Sequence, residues 1–441
     1  MVECIKFLSG NEKIRLLRKQ LRLTQGDFQN EHFTRGYLGL LENGRRNITV
    51  QASRYIASRL MEKAKEQGIN LTLEDDYFSR SIKRDAELYC EGQLEKNLTI
   101  EEFDLIIMMC DEYDLPNIKA SAYKRQGDIY YDSNDFKNAY NKYFYSFSLI
   151  KGGTINHEIN YVLNRIGICK IKLLQYSEAL IYLQKSLDGA NLINDDEIIL
   201  GAMYNCAICY KELSLIDKAL EFVDKILSKY GEKYNINWYV YVLSLKANCY
   251  NEIGNFDKSK KIYLDLIQLL KDNPGVEGKD KRLGFIYNNL GYIEYKNKNL
   301  TDSLDYYNKS LEIRNKFDDI NVSHTLIEKS EVYIEKKLYD EALMIINLSI
   351  EKANEYNDYK YVLNGYKKLE EVYSKMNNIV KVEETIIEII TLLESTKESK
   401  EEEKNKIECI NYYNKLQKMY LDNKKYEDAY KCTKNIEEVL Q

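Results

Sequence analysis

The sequence predicts an all-α protein in which a small helical bundle precedes a long array of helical repeats. Pro and Gly, the residues that interrupt helices, number only 2 and 20 among 441 residues. A pattern with a period of about 40 residues recurs through most of the chain. A chain of this length also exceeds one ordinary core, which favours several domains or an extended repeat array.

The charges divide the chain in a similar way. Residues 1–70 hold 13 Lys and Arg against 7 Asp and Glu, a net charge of +6, although the whole chain carries −6. The remaining residues therefore carry −12. Blocks of opposite charge predict two modules with different partners, of which the basic one suits phosphate. We expect one domain over 1–70 and a second over 71–441.

Four helices are expected in the basic module. A first helix over 12–21 is predicted by its amphipathic spacing. N-cap threonines precede a second helix that begins at Gln25 and a third over 35–42, with a turn over 30–33 between them. A fourth helix follows Thr49. Two short helices joined by a tight turn inside a helical bundle form a helix-turn-helix.

The stretch from Leu23 to Asn47 resembles the phage-repressor-like class of helix-turn-helix domains. By position, the resemblance implies a structural ion pair between Arg18 and Glu42. It also implies that Gln25 contacts phosphate, that the start of the third helix reads bases, and that the following loop grips the DNA backbone. The residues at the base-reading and backbone positions are Thr34, Arg35, Tyr37, Arg45, Arg46 and Asn47.

Arg35 is the strongest candidate for direct base reading, because arginine can make a bidentate contact with guanine. Gly36 and Gly39 offer no side chains to bases and lower helix stability by roughly 1 kcal/mol each relative to alanine. The alternative is a protein-docking domain with solvated arginines, since a basic patch suits many anionic partners.

The repeat is marked by two positions, mostly small, that lie twelve residues apart. The first position holds Gly127, Gly167, Ala207, Ala247, Gly291, Ser330, Glu370 and Gln417, and the second holds Ala139, Ala179, Ala219, Ser259, Ser303, Ala342, Val382 and Ala429. A diverged copy is expected at Glu91 and Phe103. The pattern resembles the tetratricopeptide repeat, in which small side chains let paired antiparallel helices approach closely. Another α-solenoid is the alternative, because the period exceeds the standard of about 34 residues.

The resemblance implies about nine repeats in a right-handed superhelix whose inner groove suits an extended peptide. Asparagine carries a donor and an acceptor, so one side chain can bond both groups of a peptide unit, and arginine can hold a carboxylate. The polar residues two positions before the first small position are Arg125, Arg165, Asn205 and Asn289, and Asn164 and Asn288 are adjacent to two of them. We expect these six residues to bind a peptide, although any single asparagine can equally be a solvated helix residue.

The order of the two modules and the long period resemble the RRNPP family of peptide-pheromone receptors from Gram-positive bacteria. The resemblance implies a cytoplasmic transcriptional regulator, usually a homodimer. It would bind double-stranded DNA through the bundle and a short signalling peptide through the repeats. The alternative is a repeat scaffold that sequesters a signalling protein, as phosphorelay inhibitors do.

We expect neither enzymatic activity nor a cofactor or metal, because no catalytic or metal-ligand spacing is recognisable. His32, His157 and His324 are far apart, and the pair Cys206 and Cys209 lacks a second pair at zinc spacing. These two cysteines are therefore expected to be core thiols. The chain shows no apolar run near the ~18 residues of a membrane helix and no secretory leader, so we expect a cytoplasmic protein without a membrane segment.

Overall fold

The computed structural model describes residues 6–150, 156–317, 320–395 and 402–440. The chain is 80% helical, and the described residues contain no strand, which confirms the predicted all-α class. The backbone forms two compact units, Met1–Phe222 and Val223–Gln441. A boundary near residue 70 would lie inside the first unit, and it stays a prediction.

The first unit begins with the expected bundle. Its elements are α1 Gly10–Gln20, a 3₁₀ turn Gln25–Phe28, α2 Arg35–Glu42 and α3 Val50–Glu66. The fully or nearly fully buried side chains at its centre are Ile14, Phe28, Leu38, Leu41, Ile56, Leu60 and Phe78. Because Phe78 belongs to this core, the segment that follows α3 is part of the bundle.

The second element of the helix-turn-helix begins at the predicted residue but is a 3₁₀ turn and not an α-helix. The residues that begin at Gln25 form only one 3₁₀ turn, and Gln29 already has extended backbone angles, with φ −77° and ψ 135°. The side-chain Oδ1 of Asn30 then accepts hydrogen bonds from the amides of His32 and Phe33, at 2.8 and 2.6 Å. This side-chain turn competes with helix continuation, and it confirms the turn expected over 30–33.

The other helix boundaries in the bundle agree with the sequence. The Thr34 hydroxyl accepts from the Tyr37 amide at 3.2 Å and begins α2, and the Thr49 hydroxyl accepts from the Ala52 amide at 3.2 Å and begins α3. Gly44 follows α2 with φ +69°, a left-handed conformation that favours glycine. The predicted caps and the glycine terminator are therefore confirmed.

Consecutive helix pairs follow the bundle, nine of them within the described part of residues 82–440. In the first unit they are α4 Ile82–Leu94 with α5 Ile100–Glu112, α6 Pro116–Asp132 with α7 Phe136–Ile150, and α8 His157–Lys172 with α9 Tyr176–Ile193. α10 Asp196–Glu212 precedes α11 Ile216–Lys229, inside which the two units divide.

The second unit continues the series after the short α12 Gly231–Tyr234. Its pairs are α13 Ile236–Glu252 with α14 Phe256–Asp272, α15 Lys279–Lys296 with α16 Leu300–Lys316, α17 Val322–Glu335 with α18 Tyr339–Glu355, α19 Tyr359–Lys375 with α20 Ile379–Ser395, and α21 Glu402–Asp422 with α22 Tyr426–Leu440. The diverged copy expected around Glu91 and Phe103 corresponds to α4 and α5.

The first position of the repeat pattern is termed the slot, and at Gly127, Gly167 and Gly291 it must be small because a side chain of the paired helix occupies the adjacent space. A Cβ atom added to Gly127 would lie 2.7 Å from the Tyr143 ring, and one added to Gly291 would lie 2.8 Å from the Tyr307 ring. The partner lies sixteen residues after the slot, on the second helix of the pair. Six residues at this spacing from a slot in the same unit are fully buried: Tyr143, Leu183, Tyr263, Tyr307, Ile346 and Ile386.

The buried tyrosines are therefore not those that the sequence pattern indicates. The sequence pattern repeats a tyrosine three residues after the slot, and a recurring aromatic position of this kind predicts core packing for Tyr130, Tyr210, Tyr250, Tyr333, Tyr373 and Tyr420. These six are only partly buried, whereas Tyr143, Tyr263 and Tyr307 are completely buried. The pattern within one helix could not identify them, because their burial depends on the glycine or alanine of the preceding helix.

Candidate functional site

The candidate DNA-binding surface surrounds the beginning and the end of α2. Arg35, in the first turn of α2, and Arg45 in the loop after it are exposed. The guanidinium of Arg46 lies 5.0 Å from the centre of the Tyr37 ring, a cation–π arrangement. Asn47 is also exposed. Except for Gln25, the residues predicted to contact DNA lie on or beside this one helix, with cationic side chains accessible to a polyanion.

The predicted ion pair behind this surface is confirmed. Arg18 Nε lies 2.5 Å from Glu42 Oε1, and Nη2 lies 3.0 Å from Oε2, which is a bidentate geometry. The Glu42 side chain is only 3% exposed. Burial alone would raise the pKa of Glu42, but the hydrogen bonds from Arg18 and Gln25 outweigh it and lower the pKa. The pair therefore fixes the end of α2 against α1.

Gln25 has a different environment from the one that the sequence indicates. Its Nε2 donates to Glu42 Oε2 at 2.8 Å, so the amide is held against the ion pair inside the bundle. The side chain is partly buried. The phosphate contact expected of Gln25 stays a prediction, and the geometry adds a structural role.

A second cluster of polar side chains lies on the first helices of the first unit. Arg165 of α8 has its guanidinium 4.8 Å from the Tyr131 ring centre and 5.2 Å from the Tyr161 ring centre. Its Nε donates to the Tyr161 hydroxyl at 2.8 Å. Within the described residues, its terminal nitrogens Nη1 and Nη2 make no hydrogen bond. Arg165 is thus held by two aromatic rings and keeps donors for a ligand.

Asp128 of α6 organises the tyrosines of this cluster. Its Oδ1 accepts from the Tyr143 hydroxyl at 2.6 Å and from the Tyr161 hydroxyl at 3.2 Å. Burial raises the pKa of Tyr161, although the neighbouring Arg165 guanidinium opposes the rise. Tyr161 therefore stays protonated, donates to Asp128 and accepts from Arg165.

Two predicted asparagines on successive first helices contact each other. Asn205 Nδ2 of α10 donates to Asn164 Oδ1 of α8 at 3.2 Å. The other side-chain groups, Asn164 Nδ2 and Asn205 Oδ1, have no hydrogen bond within the described residues. The pair therefore retains one donor and one acceptor, which is the complement of one peptide unit.

The remaining predicted peptide-binding residues are engaged in structural contacts. Arg125 donates to the carbonyl oxygens of Leu94 and Lys96, at 3.1 and 3.4 Å, and so caps the end of α4. Asn289 donates to the carbonyl of Phe285 in its own helix at 2.9 Å. The structure thus brings Asn164, Arg165 and Asn205 onto α8 and α10, and places Asn288 and Asn289 on α15 in the second unit.

Asn288 is a core residue, with only 4% of its surface exposed. Its Oδ1 accepts from the Thr325 hydroxyl at 2.7 Å, and its Nδ2 donates to Glu328 at 2.7 Å. Both side-chain groups are therefore used within the repeat stack. The assignment of Asn288 to peptide binding is not supported by this placement.

Sequence reasoning missed Asp128 and Tyr131. A signal exists for Asp128, because this polar residue directly follows the slot Gly127, and the tyrosine sixteen residues after that slot, Tyr143, can donate to it. Asn248 and Tyr263 repeat this arrangement in the second unit with a direct hydrogen bond.

Within the described residues there is no group of three or more His, Cys, Asp or Glu that could hold a metal ion. None of the described helices combines the length and apolar character needed to cross a membrane.

Comparison with known proteins reveals similarity in fold. No protein-family model matches the chain, and no curated protein matches it. The apo form of the quorum sensor NprR from B. thuringiensis superposes with a TM-score of 0.52 and 18% identity, over 82% of this chain and 100% of that one. The signal transduction ATPase PH0952 from Pyrococcus horikoshii, which has a tetratricopeptide repeat sensor, gives a TM-score of 0.51 and 14% identity, over 98% of this chain and 72% of that one. The chain therefore has a tetratricopeptide-like solenoid fold, and the quorum sensor NprR is among its structural neighbours.

Proposed function

We propose that the protein is a cytoplasmic DNA-binding transcriptional regulator whose activity is controlled by a short signalling peptide. The observation that carries the proposal is that Arg165 and Asn164 of α8 and Asn205 of α10 retain unused hydrogen-bonding groups, and these three residues are termed the cluster below. The cluster and the arginines around α2 occupy separate parts of the first unit. Sensing and output can therefore be assigned to different side chains.

An extended peptide offers hydrogen-bonding groups that complement the unused donors and acceptors of this cluster. A carboxylate of the peptide would take the terminal nitrogens of Arg165, whose orientation is fixed by Tyr131 and Tyr161. The free donor of Asn164 and the free acceptor of Asn205 would bond one backbone carbonyl and one backbone amide. Little side-chain ordering is required on binding, because the cluster is already organised.

Double-stranded DNA offers phosphates and base edges that can bind the arginines around α2. Arg35 would read a base in the major groove, and Arg45 and Arg46 would contact phosphates beside it. We expect the protein to be a homodimer, because helix-turn-helix domains commonly read two half-sites through two-fold symmetry. The fold shared with the quorum sensor NprR agrees with this function, but a fold alone does not assign one.

The deciding experiment is native mass spectrometry of the full chain purified from its own host. We expect a bound peptide of roughly five to ten residues, the length that several repeats can line. The Arg165→Gln variant should purify without it, whereas Arg125→Gln, which changes a helix cap, should retain at least part of it. If the Arg125 variant lost the peptide and the Arg165 variant kept it, the assignment of peptide binding to Arg165 would be contradicted.

DNA binding needs an independent assay. Selection of sequences from a random duplex library should yield a two-fold symmetric site, and the affinity for that site should fall steeply with salt. A chain that binds the peptide but no duplex would instead support the scaffold that sequesters a signalling protein.

A further inference from the structure

The N-terminal bundle contacts the first helix pair of the repeats through a buried charge. Lys13 of α1 has only 6% of its surface exposed, and its ammonium contacts the carboxylate of Asp85 on α4. The same nitrogen donates to the carbonyl oxygen of Tyr77 at 3.0 Å and lies 4.4 Å from the centre of the Tyr77 ring. A buried ammonium needs such partners, because desolvation of an unpaired charge costs several kcal/mol.

The segment between α3 and α4 is packed too closely to act as a loose tether. A Cβ atom added to Gly10 of α1 would lie 1.9 Å from the carbonyl oxygen of Phe78, so the helix rests directly on this backbone. The Phe78 amide donates to the buried Ser53 hydroxyl at 3.0 Å. The carbonyl of Tyr77 is thereby presented to Lys13 in a fixed position.

A second contact precedes α1. The Phe7 ring packs edge-on against Tyr89 of α4, with centroids 5.7 Å apart, and against Tyr113 after α5, with centroids 5.4 Å apart. Apolar ring contacts of this kind tolerate small sliding movements. An ion pair that also satisfies a backbone carbonyl tolerates far less, because it must keep its hydrogen-bond geometry.

We propose that the Lys13–Asp85 pair is a lock that sets the orientation of the N-terminal bundle on α4 and α5. A buried pair adds little net stability compared with apolar residues of similar volume, so fixing one arrangement is the role left to it. If the proposed function holds, any ligand that displaces α4 would turn α2 with it. The lock itself is a property of the chain without DNA or peptide.

Distances between two spin labels on the full chain test the lock. One label is placed by Gln51→Cys on α3 and the other by Met108→Cys on α5, both exposed positions, in a Cys4→Ser background. The parent chain should give one narrow distance distribution. Asp85→Asn should give a broader distribution with a displaced component.

The matched control is Asp114→Asn, which makes the same chemical change in an exposed pair. Asp114 pairs with Lys83 of α4 at 2.9 Å, and their side chains are 88% and 53% exposed. This variant should keep the narrow distribution of the parent. Equal broadening in the two Asn variants would overturn the lock.

The double variant Lys13→Met with Asp85→Leu covers the case in which Asp85→Asn unfolds the bundle. It removes both charges and keeps apolar volume, so circular dichroism should show unchanged helix content. The lock predicts a broadened distribution here as well. A narrow, parent-like distribution with intact helices would show that packing alone orients the bundle. Because no DNA or peptide is present, this outcome is independent of the proposed function.

Discussion

Arg35 and Arg46 differ in what surrounds them, and this difference predicts different roles. Arg35 is exposed in the first turn of α2, whereas Arg46 lies over the Tyr37 ring. We expect Arg35→Ala to relax base preference by about 1 to 3 kcal/mol at one position of the site. Arg46→Ala should weaken binding to all duplexes and lower the salt slope by about 1.

Fluorescence anisotropy with selected and random duplexes over a range of salt concentrations measures both effects. Arg54→Ala is the control, because Arg54 is an exposed arginine of the same bundle that pairs with Asp75 at 2.8 Å. Equal losses on selected and random duplexes for the Arg35 and Arg46 variants would contradict the division of roles.

Asn205 provides the residue-scale test of the peptide site. We expect Asn205→Ala to weaken peptide binding by about 1 to 3 kcal/mol, because a desolvated peptide group is left without its partner. Isothermal titration with the co-purified peptide gives the value. Asn347→Ala is a suitable control, since Asn347 also lies in a helix but donates to the carbonyl of Leu343 within it. An unchanged affinity in a folded Asn205 variant would place the peptide elsewhere.

Glu42 makes the stability of the bundle dependent on pH. Its pKa is lowered in the folded chain, where the Arg18 and Gln25 hydrogen bonds outweigh burial. A carboxyl whose folded pKa is below its unfolded value of about 4.3 stabilises the fold above that pH. This contribution is lost as the pH falls through the folded pKa.

We therefore expect Glu42→Gln to destabilise the bundle at pH 7 and to differ less from the parent near pH 3. Arg18→Ala should cost up to about 3 kcal/mol at pH 7, because it leaves the buried Glu42 carboxylate without its ion-pair partner. Hydrogen exchange in α1, α2 and α3, corrected for the intrinsic effect of pH, is the measurement. A difference between parent and Glu42→Gln that grows on acidification would contradict the assigned pKa direction.

At the scale of elements, a glycine that occupies a slot should respond to substitution differently from a helical glycine with open space around it. A Cβ atom added to Gly36 in α2 would meet no other atom within 4 Å, so Gly36→Ala should stabilise the bundle by up to about 1 kcal/mol. Gly127→Ala should destabilise the first unit by about 1 to 3 kcal/mol, because the added methyl meets the fully buried Tyr143 ring. Urea unfolding followed by circular dichroism compares them, and Gly68→Ala, at a positive φ of 73°, controls for backbone strain. Equal effects of the Gly36 and Gly127 substitutions would reject the slot.

The sequence predicts the helix pairs well because each pair repeats a local pattern of small and apolar positions. It predicts individual binding residues less well, since one residue along a helix rotates a side chain by about 100°. Asn288 and Asn289 illustrate this, because the first is buried in the stack and the second is not. Arg125 and Arg165 share a repeat position but not a role, because only Arg125 lies near the free carbonyls that end α4.

The second element of the helix-turn-helix differs from the prediction in type, because it is a 3₁₀ turn and not an α-helix. The cap at Thr24 was identified, but the side-chain turn made by Asn30 ends the element after Phe28. The sequence of a short helix does not settle its type alone, because tertiary contacts override local propensity. Tyr55, which donates to the Phe28 carbonyl at 2.8 Å, makes such a contact.

At the scale of the whole molecule, the reactivity of the buried cysteines can show the unfolding of each unit separately. The eight described cysteines are buried, and Cys4 lies outside the described residues. Burial raises the pKa of Cys206 and Cys209 in the first unit to about 12, and that of Cys409 in the second to about 11. Since the thiolate is the reactive form, these thiols should label slowly at pH 8 in the folded chain.

Thiol labelling with mass spectrometry at increasing urea should then show which unit opens first. The control is the same chain labelled in full denaturant, where all cysteines should react quickly. Fast labelling of Cys206 or Cys209 without urea would contradict their place in the core.

The sixteen-residue interval between a slot and its partner has a consequence for insertions and deletions. Successive slots from Ala247 to Gly291 are 44 residues apart instead of 40, and the chain between α14 and α15 includes the six-residue segment 273–278. The interval from slot to partner keeps its length in the same copy, because Ala247 and Tyr263 are still sixteen residues apart. Natural length variation, and any engineered addition of whole copies, should therefore be accepted at the joints between helix pairs and rejected within them.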